Sequence, residues 1–161
     1  VAQGDQKLLG RTIRIDGGEY GATTGRPRRT GHPDFVALKY SAIINAIDEW
    51  ALTKIDVLGG KSFKAAVAYK KGSSITEQFP FRLDGYKPVY GKEYYWPKME
   101  EDECQEIVKK GYDSLPVGMK KYIKDLVVFT GVPISMISMS PKREITLVKD
   151  VLKKTQEYLS K

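Results

Sequence analysis

Between Tyr20 and Thr30 the chain reads YGATTGRPRRT, a run dense in glycine, threonine and arginine. Three guanidiniums cannot be desolvated together without anionic partners, so the run cannot serve as a core strand or helix and is read as an exposed, ligand-type loop. Gly21 and Gly25 permit backbone conformations that turn amide groups inward, and Thr23 and Thr24 place hydroxyl donors close by. Arg26, Arg28 and Arg29 carry planar forks that match carboxylate or phosphate in bidentate fashion. Pro27 stiffens the loop, and residues 26 and 28 project the same way in an extended segment, which aims both arginines at one anionic ligand. A flexible basic loop that binds nucleic acid nonspecifically is the alternative, and the residues leave both open.

Two further stretches have chemistry to offer. Thr53 to Asp56, TKID, follows an apolar run and is placed at the carboxyl end of an inner strand, the end at which open α/β sheets bind ligands. Lys54 and Asp56, with Ile55 between them, resemble the K-x-D element of guanine-nucleotide sites. An Asp carboxylate accepts the guanine ring N–H and exocyclic amine, the Lys stem lies over the ring, and adenine lacks that donor pair. A strand-end salt bridge is the plain alternative. Ser138, Met139 and Ser140 open SMSPKR after a second apolar run. They line the far side of a base or ribose, or they form an ordinary turn before the last helix.

The elements that must position these residues are read from periodicity. A short helix is placed around Lys7 to Ile13. From Asp34 to Trp50, Val36, Tyr40, Ile43, Ile47 and Trp50 recur at helical spacing, which predicts one largely buried helix started by Pro33. The run ALTKIDVLGG at 51–60 predicts a buried strand ending in a tight turn, and residues 62–81 a hairpin turning at Lys71 to Ser74. The stretch YKPVYGKEYYWP is read as an irregular, aromatic-rich excursion packed over a sheet edge. Met119, Tyr122, Ile123, Leu126 and Val127 form the apolar stripe of an amphipathic helix stopped by Gly131, VPISMISMS is a second inner strand, and a basic helix closes the chain. Helices alternating with buried strands give an α/β fold, and no repeat or linker marks a domain boundary within the 161 residues.

Twenty-seven Lys and Arg against 20 Asp and Glu leave a formal charge of +7, which favours an anionic partner or simply a lysine-rich surface. Cys104 is the single cysteine, so no intrachain disulfide or cysteine zinc site forms, and it is read as a structural thiol. No apolar run approaches the ~20 residues needed to span a bilayer, and the first ten residues lack the apolar region of a signal peptide; the chain is read as cytoplasmic, with no membrane partner.

Taken in order, GEYGATTGRPRRTG, VALKYSAIINAIDEWALTKIDVLGG, VAY, PVY and TGVPISMISMSPKR closely resemble the carboxyl-terminal portion of adenylosuccinate synthetases, over nearly the whole chain. The resemblance implies a mostly parallel sheet flanked by helices, of the P-loop-nucleotide-hydrolase kind. It implies a magnesium-dependent homodimer that uses GTP to phosphorylate the 6-oxygen of IMP and then lets the amine of L-aspartate displace the phosphate. By position, Ala22, Thr23, Thr24, Gly25, Arg26, Pro27 and Arg28 become the aspartate-binding loop, with Arg26 also reaching IMP and Arg28 also contacting GTP. Lys54, Ile55 and Asp56 become the guanine-recognition segment, and Ser138, Met139 and Ser140 the later GTP-contacting turn.

The same resemblance marks what is missing. The family's glycine-rich G-D-E-G-K-G-K motif and its catalytic histidine have no counterpart here; GDQKLL at Gly4 to Leu9 shares only two letters with the former. His32, the only histidine, follows the arginine cluster at a position where the family commonly has an aromatic residue, and is read as a loop or helix-start residue rather than an acid. Ser140 replaces a usual glycine, and the tail after Arg143 is longer than in many relatives. The expectation is therefore a specificity portion, residues 1–161, whose partner is the missing amino-terminal half and whose catalytic and magnesium-binding groups lie in that half. A basic nucleic-acid-binding module is the competing reading.

Overall fold

A computed structural model of the chain describes residues 3–160. The first helix, α1 (Gln3–Asp16), ends where Gly17 donates to Ile13 O at 2.8 Å and Gly18 takes φ +61°. α1 lies against the segment after the arginine loop by way of Gly10. A Cβ there would stand 2.4 Å from Thr30 O, and the Thr30 hydroxyl donates to Gly10 O at 2.6 Å.

α2 (Phe35–Ile44) begins at Asp34, whose side chain caps the amide of Ala37 at 2.9 Å. It stops well short of Trp50. Ile47 N donates to Ala42 O at 3.0 Å and Ala46 N to Ile43 O at 3.4 Å, with Ala46 at φ +48°. These are the two bonds of a Schellman cap, with alanine where glycine is usual, so the single long helix expected over 34–50 is two elements. The expected stripe is buried only in part: Val36 faces the core with Phe35 and Ala42, while Tyr40, Ile43 and Ile44 are exposed.

β1 is short (Trp50–Leu52), and a 3-10 turn (Ile55–Leu58) occupies most of the stretch read as strand. β2 (Phe63–Lys71) and β3 (Ser74–Thr76) form the expected hairpin, turning through Gly72 at φ +61°. The supposed irregular excursion is largely β4 (Lys87–Tyr94), antiparallel to β2 from Phe63↔Tyr94 to Lys70↔Lys87. Tyr94 and Trp96 pack inward, where with Phe63 and Tyr122 they form a cluster with ring centroids 5.3 to 5.9 Å apart. Each such ring removed from water contributes roughly 1.5–3 kcal/mol.

α3 (Glu101–Lys110), absent from the sequence reading, begins with a capping box in which Glu100 N donates to Glu103 Oε2 at 2.9 Å. α4 (Val117–Thr130) is the expected amphipathic helix, with Met119, Tyr122, Ile123, Leu126 and Val127 all buried and Gly131 left-handed at φ +75° after its end. β5 (Ile134–Ser138) follows, then a 3-10 turn (Arg143–Ile145), β6 (Thr146–Leu147) and α5 (Val151–Gln156). The closing basic helix expected over PKREITLVKDVLKKTQEYLSK, residues 141–161, is thus shorter, the first part of that stretch being turn and strand.

The α/β class stands, with mixed pairing among the described residues. One sheet has the order β1-β5-β6, parallel between β1 and β5 and antiparallel between β5 and β6; the other, β3-β2-β4, is antiparallel. α2 and α4 pack on each other and on the second sheet, and α5 packs on β5. No helix among the described residues is long and apolar enough to cross a membrane.

Candidate functional site

Because β1 and β5 run parallel with Leu52 opposite Ile137, both chains leave the sheet at the same edge. The Thr53–Asp56 and Ser138–Ser140 turns therefore emerge side by side at the carboxyl ends of neighbouring strands, although 85 residues separate Leu52 from Ile137. The Ser138 hydroxyl donates to Ser140 O at 3.0 Å, and the Ser140 hydroxyl accepts from Lys142 N at 3.2 Å. Met139 is buried beneath the turn, and its amide donates to Ile145 O at 3.1 Å. This side chain anchors the turn while the two serines stay at the surface.

Lys54 is held in the left-handed region at φ 58°, ψ 30°, a conformation that costs an L residue roughly 1–2 kcal/mol. It introduces the 3-10 turn, and Ile55 sinks into the core at 1% exposure. Asp56 is thereby presented on the next residue. Its Oδ1 is buried and has no hydrogen-bond partner among the described residues. Burial pushes its carboxyl above the usual range, opposed by the amides of Asp56 and Val57 and by the charges of Lys54 and Lys61. A cleft of about 400 Å³ opens beside it, lined by Asp16, Asp56, Val57, Gly59, Lys61 and Lys98, with Met99. A carboxylate with one oxygen unpaired and a cleft alongside is suited to receive N–H donors.

The arginine loop is a closed hairpin. Tyr20 and Pro27 form an antiparallel bridge, Gly21 N donates to Arg26 O at 2.8 Å, Arg28 N to Glu19 O at 3.0 Å, and Gly25, at φ +64°, donates to Gly21 O at 2.9 Å. Residues 22–29 are exposed, as expected of a ligand loop. The hydroxyl of Thr24 accepts a long bond from Arg26 N at 3.5 Å. Arg28 has partners within the protein: its Nη1 lies 3.0 Å from Glu19 Oε2, and its carbonyl accepts from Arg14 Nε at 2.7 Å. Arg26 and Arg29 have no carboxylate partner among the described residues.

Glu19 was not singled out in the sequence. Its Oε1 lies 2.5 Å from Lys54 Nζ, so one carboxylate ties the arginine hairpin to the turn that presents Asp56. Hydrogen bonds from Lys54 and then Arg28 hold its carboxyl below the usual range. The available signal was an acidic residue, GGEYG, set just before a cationic loop; only the fold brings Lys54 across to it. The three stretches thus divide into two neighbouring turns and a hairpin linked to one of them.

His32 sits apart from this constellation. Its Nδ1 accepts from Lys64 N at 3.1 Å, its ring lies 4.9 Å from that of Tyr90, and burial lowers its pKa. It helps seat the start of α2 on β2, where Ala66 N donates to Pro33 O at 2.9 Å. Cys104 is buried in α3, and burial pushes its thiol up. Among the described residues no three His, Cys, Asp or Glu side chains gather as a metal site.

The family model described as adenylosuccinate synthetase matches residues 3–147. The chain belongs to the adenylosuccinate synthetase family. It is 40% identical over 146 residues to the adenylosuccinate synthetase of Thermodesulfovibrio yellowstonii, covering 88% of this chain and 33% of that protein. With the enzyme of Aquifex aeolicus it shares 38% identity over 154 residues, 92% of this chain and 34% of the other. The solved structure of the fully ligated adenylosuccinate synthetase from Plasmodium falciparum superposes with a TM-score of 0.76 at 33% identity, covering 88% of this chain and 34% of that one. The chain spans about a third of the length of these adenylosuccinate synthetases.

Proposed function

We propose that residues 1–161 act as the carboxyl-terminal, specificity-bearing portion of a GTP-dependent ligase that joins IMP and L-aspartate to form adenylosuccinate in purine biosynthesis. In this reading the γ-phosphoryl group of GTP passes to the 6-oxygen of IMP. The aspartate amine then bonds to the same carbon as inorganic phosphate departs with that oxygen. Ala22 to Arg28 hold the aspartate carboxylates, with Arg26 reaching IMP and Arg28 also serving GTP. Lys54, Ile55 and Asp56 read guanine, and Ser138, Met139 and Ser140 close the far side of the nucleotide. Two carboxylates and a nearby triphosphate call for fixed guanidinium forks, and those cations stabilise charge as the phosphoryl group moves.

The observation that carries this reading is Asp56: a carboxylate with a buried, unpaired oxygen, raised on a strained residue at a strand end beside a second surface turn. Guanine brings two adjacent N–H donors to such an acceptor, and adenine does not. An amino-terminal portion would supply the phosphate amides, the acid and base, and the magnesium ligands, and the assembled ligase would be a cytoplasmic homodimer.

The test is steady-state kinetics of that assembled ligase. Arg26→Ala should raise the KM for aspartate by about 10²-fold or more, the scale of losing a charge-assisted bidentate contact. Asp56→Ala should erase the preference for GTP over other nucleoside triphosphates. Unchanged aspartate KM in the first and unchanged nucleotide preference in the second would refute the assignment.

One feature favours the nucleic-acid reading: an open cleft of about 680 Å³ between α1 and the arginine hairpin, lined by Lys7, Arg11, Arg14 and Arg29. That reading requires binding to RNA or DNA that weakens steeply with salt, whereas a nucleotide pocket need not show that dependence.

A further inference from the structure

The Glu19 carboxylate is 18% exposed and is shared by two cations from different parts of the chain: Lys54 Nζ at 2.5 Å on Oε1 and Arg28 Nη1 at 3.0 Å on Oε2. The Glu19 carbonyl also accepts Arg28 N at 3.0 Å, so the residue closes the base of the arginine hairpin through both backbone and side chain. On the other side, Lys54 Nζ donates to Gly17 O at 2.8 Å as well, and these two contacts hold the side chain of a residue whose backbone is left-handed. That backbone aims Asp56. Among the described residues no other charged pair ties the hairpin to the 53–56 turn.

We propose that Glu19 is a positioning residue that couples the two segments, so that an anion taken up by the arginine hairpin tightens guanine-nucleotide binding at the Lys54–Asp56 turn, and the reverse. This rests on the ligand assignments made under Proposed function. A carboxylate or phosphate that engages Arg28 withdraws one of the two cations on Glu19. The whole carboxylate charge then falls on Lys54, which strengthens the contact restraining the turn. Linkage makes the effect reciprocal: the factor by which aspartate tightens guanine nucleotide equals the factor by which the nucleotide tightens aspartate.

The experiment is a coupling measurement on the assembled ligase: affinity for GDP by calorimetry without and with saturating aspartate, and aspartate affinity without and with GDP. The wild-type protein should show mutual tightening of about 5-fold or more, the usual lower range for coupled sites. In Glu19→Gln, which keeps the shape and loses the charge, the factor should fall to about 1. Loss of a merely structural contact would weaken both ligands and leave their ratio intact, so a coupling factor in Glu19→Gln equal to that of the wild type overturns the inference. If that variant fails to fold, Glu19→Asp serves, because a side chain one methylene shorter cannot span both cations; a retained factor there overturns it equally. A wild-type factor of 1 with normal binding of each ligand also overturns the inference while leaving the ligand assignments standing. Absence of GDP binding in the wild type would instead strike those assignments themselves.

Discussion

Lys54 acts on both Asp56 and Glu19, yet their environments pull their protonation in opposite directions. Asp56 is raised by burial, so the sign follows directly: its ionisable carboxyl favours the folded state at pH below its unfolded pKa, and that contribution is lost as pH rises through the folded pKa. Glu19 is lowered by Lys54 and Arg28, so its contribution is present above the unfolded pKa and is lost as pH falls through the folded one. Asp56→Asn removes the charge that burial penalises. The variant should melt a few degrees higher than the wild type at neutral pH, corresponding to about 1 kcal/mol, while guanine preference is lost. Thermal melts followed by circular dichroism between pH 3 and 8 check this; a variant less stable than the wild type at neutral pH would show that the Asp56 carboxylate supports the fold rather than strains it.

At the scale of elements, much was legible. The stripe of Met119, Tyr122, Ile123, Leu126 and Val127 predicted α4 because every member is buried, and Gly131 ended it as a left-handed glycine does. The end of α2 was hidden because Ala46 does the work of a C-terminal glycine, so nothing in IINAIDEW announced the stop. β4 was obscured by Pro88 and Gly91, residues a central strand avoids; β4 lies at the edge of its sheet, where Pro88 is tolerated opposite Tyr69. α3 was missed since only Cys104 and Ile107 are fully buried in a highly charged segment, with Val108 half-buried beside them. The candidate site residues were read from motifs, whereas Glu19 was not, because a salt bridge spanning 35 positions leaves no periodic trace.

The tail shows how one element serves another. The matched family region ends at residue 147, yet α5 beyond it buries Thr155 completely. The Thr155 hydroxyl donates to Ile134 O at 2.8 Å and accepts from Ile134 N at 3.0 Å, taking the place of a neighbouring strand at the start of β5. Thr155→Val keeps the volume but leaves the Ile134 amide unpaired, which should cost about 1–3 kcal/mol. Chemical denaturation measures it directly. A loss below 0.5 kcal/mol, on the order of an ordinary surface change, would mean that water or backbone replaces the hydroxyl.

Across the whole molecule, the two turns proposed to hold the nucleotide meet only because β1 and β5 lie side by side. Leu52 and Ile137 come from positions 85 residues apart, whereas the β2–β3 hairpin closes locally through Gly72. Chain-closure entropy rises with loop length, and contacts distant in sequence form late. The antiparallel sheet and α4 can therefore assemble before the parallel pair closes over them. Trp50, which begins β1 and whose indole donates to Thr130 Oγ1 at 3.4 Å, reports that closure, and Trp96 in the aromatic cluster reports the earlier step. In stopped-flow refolding of single-tryptophan variants, the Trp96 signal should precede that of Trp50; simultaneous signals would mean that the chain folds as one unit. With sequential closure, the proposed nucleotide site is the last part of the molecule to exist. A ligand bound there then acts on the lifetime of the native state, by slowing the first opening, rather than on how quickly the chain finds its fold.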